Sequence, residues 1–381
     1  MFMNRGAFQP AVGTHLRLYN QPLVWSEESK YLGILFDRRI SFKQHIENKI
    51  ATAKKKLHML GKVFRDTWGP SPTASKWAYT GIVRPALAYG SIIWWDKVQT
   101  DDMQKKLKKL QRLALLMIAP VRKSTPTAAL ELLYDIKPLH LFLKEQALKS
   151  ALRIGITNPN WLYKDTKGHQ HLLMESLPNE LKNCKIDNVK TTMIWEKNYD
   201  VQIGKGDDIS NRRDWTCYTD GSKSGLRSGS GSVILHLNKV HTNLSYSVGS
   251  AEVFQAEISA VLGSAKILLD YRVQNCGVDF LVDSQAALMA LLNPTTTSDL
   301  VRETKRVLNE LGSSNNLVMH WIRAHRGWVY NEMADHNANE GAKAVALPEN
   351  IPTPSRCSRY TIIEDMIKRE WVDLWEKEPC R

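Results

Sequence analysis

The chain has 381 residues and a formal net charge of +13 at pH 7, with 43% hydrophobic and 24% charged residues. This is a globular composition, which excludes a disordered or fibrous chain, and the length suffices for two or three domains. The longest apolar run is too short to span a bilayer, which predicts no membrane partner. Five scattered cysteines without a Cys-x-x-Cys pair predict reduced thiols in an intracellular protein, nuclear or cytoplasmic.

The positive charge is concentrated in the first part of the chain. Residues 1–150 contain 25 Lys and Arg against 11 Asp and Glu, whereas residues 213–345 contain 12 against 13. A basic module joined to a near-neutral one is typical of a protein that binds a polyanion with one part and acts with the other. A solvated, lysine-rich helical surface explains the same composition equally well.

The first 154 residues are predicted to form a mainly α-helical module. Strand-like composition and helical spacing of apolar residues predict strands over 16–18 and 30–37, then helices over 42–64, 75–95 (kinked at Pro85), 100–117 and 127–154. Basic residues flank the apolar stripes of the first and third helices: Lys54, Lys55, Lys56, Lys105, Lys106, Lys108, Lys109 and Arg112. Residues 155–212 are polar and rich in breakers, which predicts a connector with little structure of its own.

From Trp215 onward the pattern changes to that of an α/β domain. Strands are predicted over 215–220, 230–237, 244–248, 278–283 and 317–322, and helices over 253–269, 286–292, 299–311 and 331–343. The order βββαβααβα predicts a mixed five-stranded sheet covered by helices.

Four carboxylates are expected to meet at this sheet: Asp220, Glu257, Asp283 and Asp335. Asp220 and Asp283 each end an apolar strand, and sites in α/β sheets gather outside strand ends. Clustered carboxylates raise each other's pKa, and hard divalent cations remove that cost. For any single acid the alternative is a helix cap or a surface residue, and this alternative is weakest for Asp220 and Asp283.

Four segments resemble the motifs of type 1 ribonuclease H: 218–222, 254–257, 281–284 and 331–335. The resemblance covers about residues 213–345. It implies that the four carboxylates hold two Mg²⁺ ions, with Mn²⁺ as the alternative ion. Asp220 would bridge both ions, Glu257 and Asp283 would hold the ion near the leaving oxygen, and Asp335 the ion that activates water.

The same resemblance implies roles for further residues. His325, in the loop before the last helix, would assist proton transfer or product release. The substrate, an RNA–DNA hybrid, would be contacted by Gly221, Ser222, Ser284, Gln285 and Asn331.

Three segments of the first module resemble the region after the palm of a non-LTR (LINE-type, jockey-like) retrotransposon reverse transcriptase: 31–37, 42–46 and 83–90. The resemblance implies a palm end and thumb-like basic helical module over 1–154, whose basic residues bind nucleic acid. A connector (155–212), a ribonuclease H domain (213–345) and a tail (346–381) would follow, the tail carrying Trp371 and Trp375 on a short amphipathic helix.

The polymerase site is expected to be missing, because neither Asp-Asp pair (101–102, 207–208) has the apolar flanks of a palm hairpin. The chain is therefore expected to be the C-terminal part of a longer polyprotein, with an upstream polymerase region as partner. Its oligomeric state is not indicated.

Two residues depart from the ribonuclease H pattern. Tyr330 stands at a position expected to need positive φ, and Asn337 stands where an apolar residue would pack. A buried Asn without partners costs about 1–3 kcal/mol. The predicted function is endonucleolytic cleavage of the RNA strand of hybrids; the alternative is a catalytically decayed, nucleic-acid-binding remnant.

Overall fold

The computed structural model describes residues 17–22, 26–62, 70–119, 121–157, 169–182, 187–204, 213–324 and 326–377. The chain divides into two compact units. The first comprises Met1–Asn179 and Ile362–Arg381, and the second comprises Glu180–Thr361. No helix within the described ranges has the length and apolarity needed to cross a membrane.

The first unit is mainly helical and begins with two small strand pairs. Its strands are β1 Arg17–Leu18, β2 Gln21–Pro22, β3 Glu28–Tyr31 and β4 Ile34–Asp37. Its helices are α1 Lys43–Gly61, α2 Pro72–Ala78, α3 Arg84–Ala88, α4 Ser91–Trp94, α5 Asp101–Ile118, α6 Thr127–Leu133, α7 Leu139–Thr157 and α8 His169–Glu175. A π-helical turn, Tyr79–Val83, joins α2 to α3, and a 3₁₀ turn, Trp95–Gln99, follows α4.

Two predictions for this unit were wrong. Residues 30–37 are not one strand, because β3 and β4 pair antiparallel around Leu32-Gly33, where both residues have positive φ. The long helical stretch breaks at Gly90, whose φ is 72°, and not at Pro85, which closely follows the π-helical turn. Glycine adopts this left-handed conformation without steric cost, so it ends the helix more sharply than the proline does.

The apolar stripes predicted for the first and third helices are confirmed as core. Ile46, Ile50 and Leu57 of α1 are buried, as are Leu107 and Leu110 of α5. These side chains belong to one hydrophobic cluster of the unit. The 3- and 4-residue spacing therefore identified the inward faces of both helices correctly.

The second unit contains the sheet. Its strands are β5 Thr192–Met193, β6 Asp200–Gln202, β7 Trp215–Ser224, β8 Arg227–His236, β9 Lys239–Ser247, β10 Gly277–Val282, β11 Thr295–Thr296 and β12 Asn316–Trp321. The remaining helices of the chain are α9 Asn179–Lys182, α10 Val253–Asp270, α11 Gln285–Leu292, α12 Asp299–Ser313, α13 Val329–Lys343 and α14 Arg356–Glu376, with a 3₁₀ turn at Pro348–Asn350. Residues of α14 from Ile362 onward belong to the first unit.

The sheet is mixed and has six strands in the order β6-β12-β10-β7-β8-β9. β7, β8 and β9 form an antiparallel meander, and β10, β12 and β6 run parallel to β7 and to one another. The predicted order of elements is found from β7 to α13, with the two-residue β11 added. The predicted count of five strands was wrong, because β6 joins the sheet from inside the segment predicted to be a connector.

Residues 187–203 are part of the second unit's fold, which corrects the prediction of a connector with little structure. The Asp187 carboxylate accepts hydrogen bonds from the Ser298 hydroxyl (2.7 Å) and from the backbone N–H of Asp299 and Leu300, at the first turn of α12. The Tyr199 hydroxyl donates to the carbonyl of Leu291 (2.9 Å). The segment thus caps one helix from outside and fastens the end of another.

Asp187→Ala is expected to destabilise the second unit by about 1–2 kcal/mol, because the carboxylate accepts hydrogen bonds from the backbone N–H of Asp299 and Leu300 at the start of α12, beside the N-cap residue Ser298. Chemical denaturation measures the change. Lys190→Ala, at an exposed position of the same segment, is the matched control and should stay within about 0.5 kcal/mol of wild type. Equal stabilities for the two variants would show that the segment is not anchored through Asp187.

Glycines on β8 bring α13 against the backbone of the strand. A Cβ atom added at Gly229 would lie closer than 3.0 Å to backbone atoms of Ala342, and one at Gly231 equally close to those of Ala334. Real Cβ atoms do not approach backbone so closely. The α13 helix, which carries Asp335, is therefore seated directly on β8.

Serines alternate with these glycines and bind the segment on the opposite face of β8. The Ser228 hydroxyl donates to the carbonyl of Ala251 (2.6 Å), and the Ser230 hydroxyl donates to that of Ala256 (2.7 Å). Ala256 precedes Glu257 on α10. One short stretch of alternating glycine and serine thus positions the two helices that carry Glu257 and Asp335.

Neither departure from the ribonuclease H pattern produces the expected strain. Tyr330 lies in the first turn of α13, and positive φ (78°) falls on Gly327 instead. Asn337 is half-buried, and its amide donates to the carbonyl of Ser232 (3.3 Å). The predicted cost of an unpartnered Asn at this position is therefore wrong.

Candidate active site

Three of the four predicted carboxylates come together in the second unit. Oxygen atoms of Asp220, Glu257 and Asp283 all lie within 4.8 Å of one another. β7 and β10 are neighbours in the sheet, with Thr219 opposite Val282, so the next residues, Asp220 and Asp283, are placed side by side. Asp220 does not end its strand as predicted, because β7 continues to Ser224.

Glu257 reaches the same point from α10 because Gly221 lets the helix approach β7. A Cβ atom at Gly221 would lie 2.5 Å from the backbone nitrogen of Glu257. The N–H of Gly221 donates to Oδ1 of Asp220 (2.8 Å), which fixes one oxygen of that carboxylate. Gly221 was predicted to contact substrate; its contacts here are with the two carboxylate-bearing segments.

Asp335 lies beside this group of three and is held by α13 and β7 together. The Asn339 amide donates to Oδ1 of Asp335 (3.0 Å), and the Ser222 hydroxyl donates to Oδ1 of Asn339. Asn339 lies four residues after Asp335, on the same face of the helix. Asn339 was not predicted from the sequence. Its spacing of four residues from Asp335 would have indicated that the two side chains lie on one face of the helix.

Two of the carboxylates, Asp220 and Glu257, are protonated more easily than usual because they are buried close to other acids. Burial raises the pKa of Asp220 to about 7, with further contributions from the Asp283 charge and a hydrogen bond with Asp335. Burial also raises the pKa of Glu257 to about 9, and the charges of Asp220 and Asp283 add to the effect. Oε2 of Glu257 is buried without a hydrogen-bond partner.

This donor set fits a hard divalent cation. Mg²⁺ and Mn²⁺ prefer carboxylate oxygens, and a cation removes the repulsion that raises these pKa values. The unpartnered oxygen of Glu257 is a ligand atom that the protein itself leaves unused. Asp220, Glu257 and Asp283 would hold such an ion directly, with Asp335 next to them.

Without metal, the second unit is expected to lose stability as pH rises from about 4 towards 9. The folded-state pKa values of Asp220 and Glu257 lie above their unfolded values, so the folded state binds more protons across this window. The free energy of unfolding then falls with pH, by up to about 1.4 kcal/mol per pH unit for each group.

Denaturation in EDTA at several pH values measures this dependence. Glu257→Gln should flatten the upper part of the curve, since it removes the group whose pKa is about 9. Glu310→Gln, an exposed carboxylate on α12, is the control and should leave the curve unchanged. A wild-type stability that is flat or rises between pH 5 and 8 would contradict the crowding of these carboxylates.

Other predicted site residues have varied surroundings. Asn331 is buried, and its amide donates to Oδ2 of Asp283 (3.2 Å). The Ser284 hydroxyl accepts from the N–H of Ala287 and caps α11, while Gln285 is exposed at the first residue of that helix. His325 lies outside the described residues. Of the described residues in this set, Asn331 is the one that contacts a carboxylate of the site.

The predicted basic residues of the first unit lie on α1 and α5. Most are exposed: Lys54, Lys55, Lys105, Lys108 and Lys109, with Lys56 partly so. Lys106 is paired with Glu47 (2.8 Å) and Asp102 (2.9 Å). Arg112 donates to the carbonyl of Thr125 (2.9 Å) and to other groups of the following loop. Lys106 and Arg112 thus have protein partners.

Two further lysines were missed by sequence reasoning. Lys30 of β3 and Lys49 of α1 line one cavity together with Lys56, and no Asp or Glu is among the residues that line it. Burial and the charges of Lys56 and Lys30 lower the pKa of Lys49. Lys49 lies four residues after His45 on α1, outside the run of Lys54, Lys55 and Lys56 that was predicted to bind nucleic acid.

Comparison with known proteins identifies the second unit's central segment. Residues 212–343 match the RNase H family model. The chain contains an RNase H domain. Its fold is RNase H-like, a mixed sheet with helices on both faces, and the described carboxylate cluster lies within the matched range.

The chain is also similar to proteins of R1 retrotransposable elements, which confirms the resemblance to a non-LTR retrotransposon polyprotein. It is 29% identical over 198 residues to the 115 kDa protein of element R1DM of Drosophila melanogaster. It is 22% identical over 175 residues to the Pol polyprotein of element R1 of Nasonia vitripennis. These matches cover 51% and 45% of this chain, but only 18% and 49% of the relatives.

Solved structures of ribonucleases H are also similar to this domain. RNase H1 of Halobacterium salinarum is 24% identical, with a TM-score of 0.29, over 34% of this chain and 97% of that protein. The protease–reverse transcriptase of prototype foamy virus is 19% identical, with the same TM-score, over 38% of this chain and 23% of that protein.

Proposed function

We propose that the chain hydrolyses the RNA strand of RNA–DNA hybrids, with divalent cations held by Asp220, Glu257 and Asp283. The observation that carries the proposal is the cluster of three carboxylates within 4.8 Å, two of them buried, inside a segment that matches the RNase H family model. Mg²⁺ is the proposed ion and Mn²⁺ the substitute. Two bound ions supply activation of the attacking water and stabilisation of the leaving oxygen.

The surrounding side chains have positioning roles in this proposal. The Asn331 amide holds one oxygen of Asp283, and Asn339 holds one oxygen of Asp335. These hydrogen bonds fix how the two carboxylate groups are oriented at the site. His325 is proposed to move a proton during water activation or product release.

A cleavage assay with the purified chain tests the proposal. The substrate is a hybrid with a labelled RNA strand, and Mg²⁺ or Mn²⁺ is titrated from an EDTA-treated start. Metal-dependent shortening of the RNA with the DNA strand intact is expected. If the hybrid is bound but not cut at any metal concentration, the alternative function, a catalytically decayed nucleic-acid-binding remnant, is favoured.

The first unit is proposed to act as a thumb-like module that binds nucleic acid within a longer polyprotein. Support comes from the exposed lysines on α1 and α5 and from the similarity to R1 polyproteins. Lysines that neutralise phosphates release counterions, so binding weakens with salt.

Lys54→Gln/Lys55→Gln/Lys109→Gln is expected to weaken hybrid binding and to make the slope of log K against log salt shallower. The change should be roughly 0.9 for each phosphate that the variant no longer neutralises. The control with the same change of charge uses exposed lysines of the second unit, Lys190, Lys239 and Lys266. Fluorescence anisotropy at several salt concentrations measures both. Equal slopes for the two triple variants would assign the lysines of α1 and α5 to a solvated helix face.

A further inference from the structure

A cavity of about 420 Å³ lies within the first unit, between the start of α5, the start of α7 and the end of α14. Its walls combine aromatic and basic side chains: Trp371 and Trp375 of α14, Lys105 and Lys108 of α5, and His140 of α7. The volume is in the range of small-ligand sites. None of these residues belongs to the carboxylate site.

The aromatic wall is held in place by the rest of α14. Ile363 and Ile367, on the same helix, are fully buried. Glu370 pairs with Lys144 (2.6 Å), and Glu364 pairs with Lys149, both on α7. The helix has 21 residues and is not the short one predicted from sequence. Because two of its side chains are fully buried and two ion pairs join it to α7, its two tryptophans are positioned before any ligand arrives.

The two tryptophans differ in exposure. Trp371 is 7% exposed and belongs to the core, whereas Trp375, one turn later, is partly exposed. Their spacing of four residues places both indoles on one face of the helix. A flat ligand entering the cavity therefore meets one partly open indole beside a buried one.

Two of the cavity's lysines stand on the wall formed by α5, and a third, Lys377, follows the end of α14. Lys105 and Lys108 are exposed and three residues apart on this helix. Glu131 also lines the cavity, but it is 6% exposed and accepts a hydrogen bond from Gln111 inside the unit (2.6 Å). Of the acids that line the cavity, only Asp101 at the helix start is exposed.

Burial and the charges of Lys144 and Lys108 lower the pKa of His140 to about 4. The imidazole is therefore neutral near pH 7 and adds a flat, uncharged surface to the cavity. The positive charge that a ligand meets at neutral pH comes from the lysines.

We propose that this cavity binds an unpaired nucleotide of a single-stranded nucleic acid, with the base against Trp375 and the phosphates at Lys105 and Lys108. Aromatic stacking with adjacent cations is the chemistry that recognises single strands independently of sequence. The site is distinct from the carboxylate site of the proposed cleavage, and the inference rests on the proposed binding of nucleic acid by the first unit. It gives the chain a means of holding unpaired strand beside a duplex substrate.

The test uses the full chain and a labelled oligo(dT), with binding measured by fluorescence anisotropy. Trp375→Ala is expected to weaken binding by roughly 5- to 150-fold, the effect of losing one stacked base, while Trp375→Phe keeps most of the affinity. Lys105→Gln should make the salt slope shallower by about 0.7, the value for one phosphate of a single strand. Trp77→Ala, at a 74%-exposed tryptophan of the same unit, is the matched control and should bind as wild type.

A second comparison needs no variant. An abasic phosphodiester strand of the same length carries the same charge as oligo(dT) but offers no base to stack. The wild-type chain should bind it at least about fivefold more weakly. Equal affinities for the two strands would overturn the proposal, as would wild-type binding by Trp375→Ala. A change in oligomeric state on Trp375→Ala without a change in oligo(dT) binding would instead assign the cavity to protein association.

Discussion

Asp220→Asn is expected to slow cleavage of the RNA strand by on the order of a thousandfold or more. Asp220 interacts with each of the other three carboxylates. Its charge raises the pKa of Glu257, and its own pKa is raised by the charge of Asp283 and by a hydrogen bond with Asp335. An amide offers one weak neutral oxygen in place of an anionic ligand. Loss of several kcal/mol of metal-dependent stabilisation corresponds to this factor, because each 1.4 kcal/mol is tenfold.

The same substitution should not destabilise the metal-free chain. Removing one buried negative charge relieves repulsion, so the melting temperature in EDTA at pH 8 should be equal to wild type or higher. Asp270→Asn, at an exposed carboxylate at the far end of α10, is the matched control and should cleave normally. If Asp220→Asn cleaved at the wild-type rate while folded, the site would have to lie elsewhere in the chain.

Gly231→Ala is expected to cost about 3 kcal/mol of stability and to reduce cleavage on the order of a hundredfold. The added Cβ would lie too close to backbone atoms of Ala334 and Ala338, and backbone cannot move aside as a flexible side chain can. The α13 helix must shift, and Asp335 shifts with it. A misplacement of about 1 Å at a catalytic group is enough for that loss of rate.

Denaturation and the cleavage assay measure the two effects separately. Gly204→Ala is the control, since a Cβ at this position meets nothing within 4 Å and should change neither quantity appreciably. A folded Gly231→Ala variant with wild-type stability and rate would mean that α13 is not seated on β8 as described. Glu257 should be less affected than Asp335, because its helix contacts the serine face of the strand.

The meeting of three of the four carboxylates was predictable because each of the three is marked locally. Asp220 and Asp283 follow apolar strand residues that are buried on both faces of the sheet, and Glu257 immediately precedes the core residue Ile258. Such patterns need only a few neighbouring residues to be recognised. The predicted order of strands and helices in this domain followed from the same change of period at Trp215.

The features that were not predicted depend on contacts with residues far away in the sequence. β6 has three residues, too few for an alternating pattern to stand out, and it is a strand because it pairs with the edge of β12. Asp187 binds the first turn of a helix that begins 112 residues later, so the sequence next to that helix gives no sign of this contact. Asn337 was predicted to lack a partner because the carbonyl of Ser232, to which it donates, lies 105 residues earlier, on β8.

The contact between β8 and α13 also limits which substitutions this sequence can accept. Gly229 and Gly231 bring main chain against main chain, so the distance from the sheet to Asp335 is fixed by atoms common to every residue type. Exchanges among the apolar side chains elsewhere in the core change volume and stability, but they leave that distance alone. Related copies that keep both glycines can therefore diverge widely elsewhere and keep the spacing of the carboxylates, and a copy that loses either glycine is expected to lose that spacing at once.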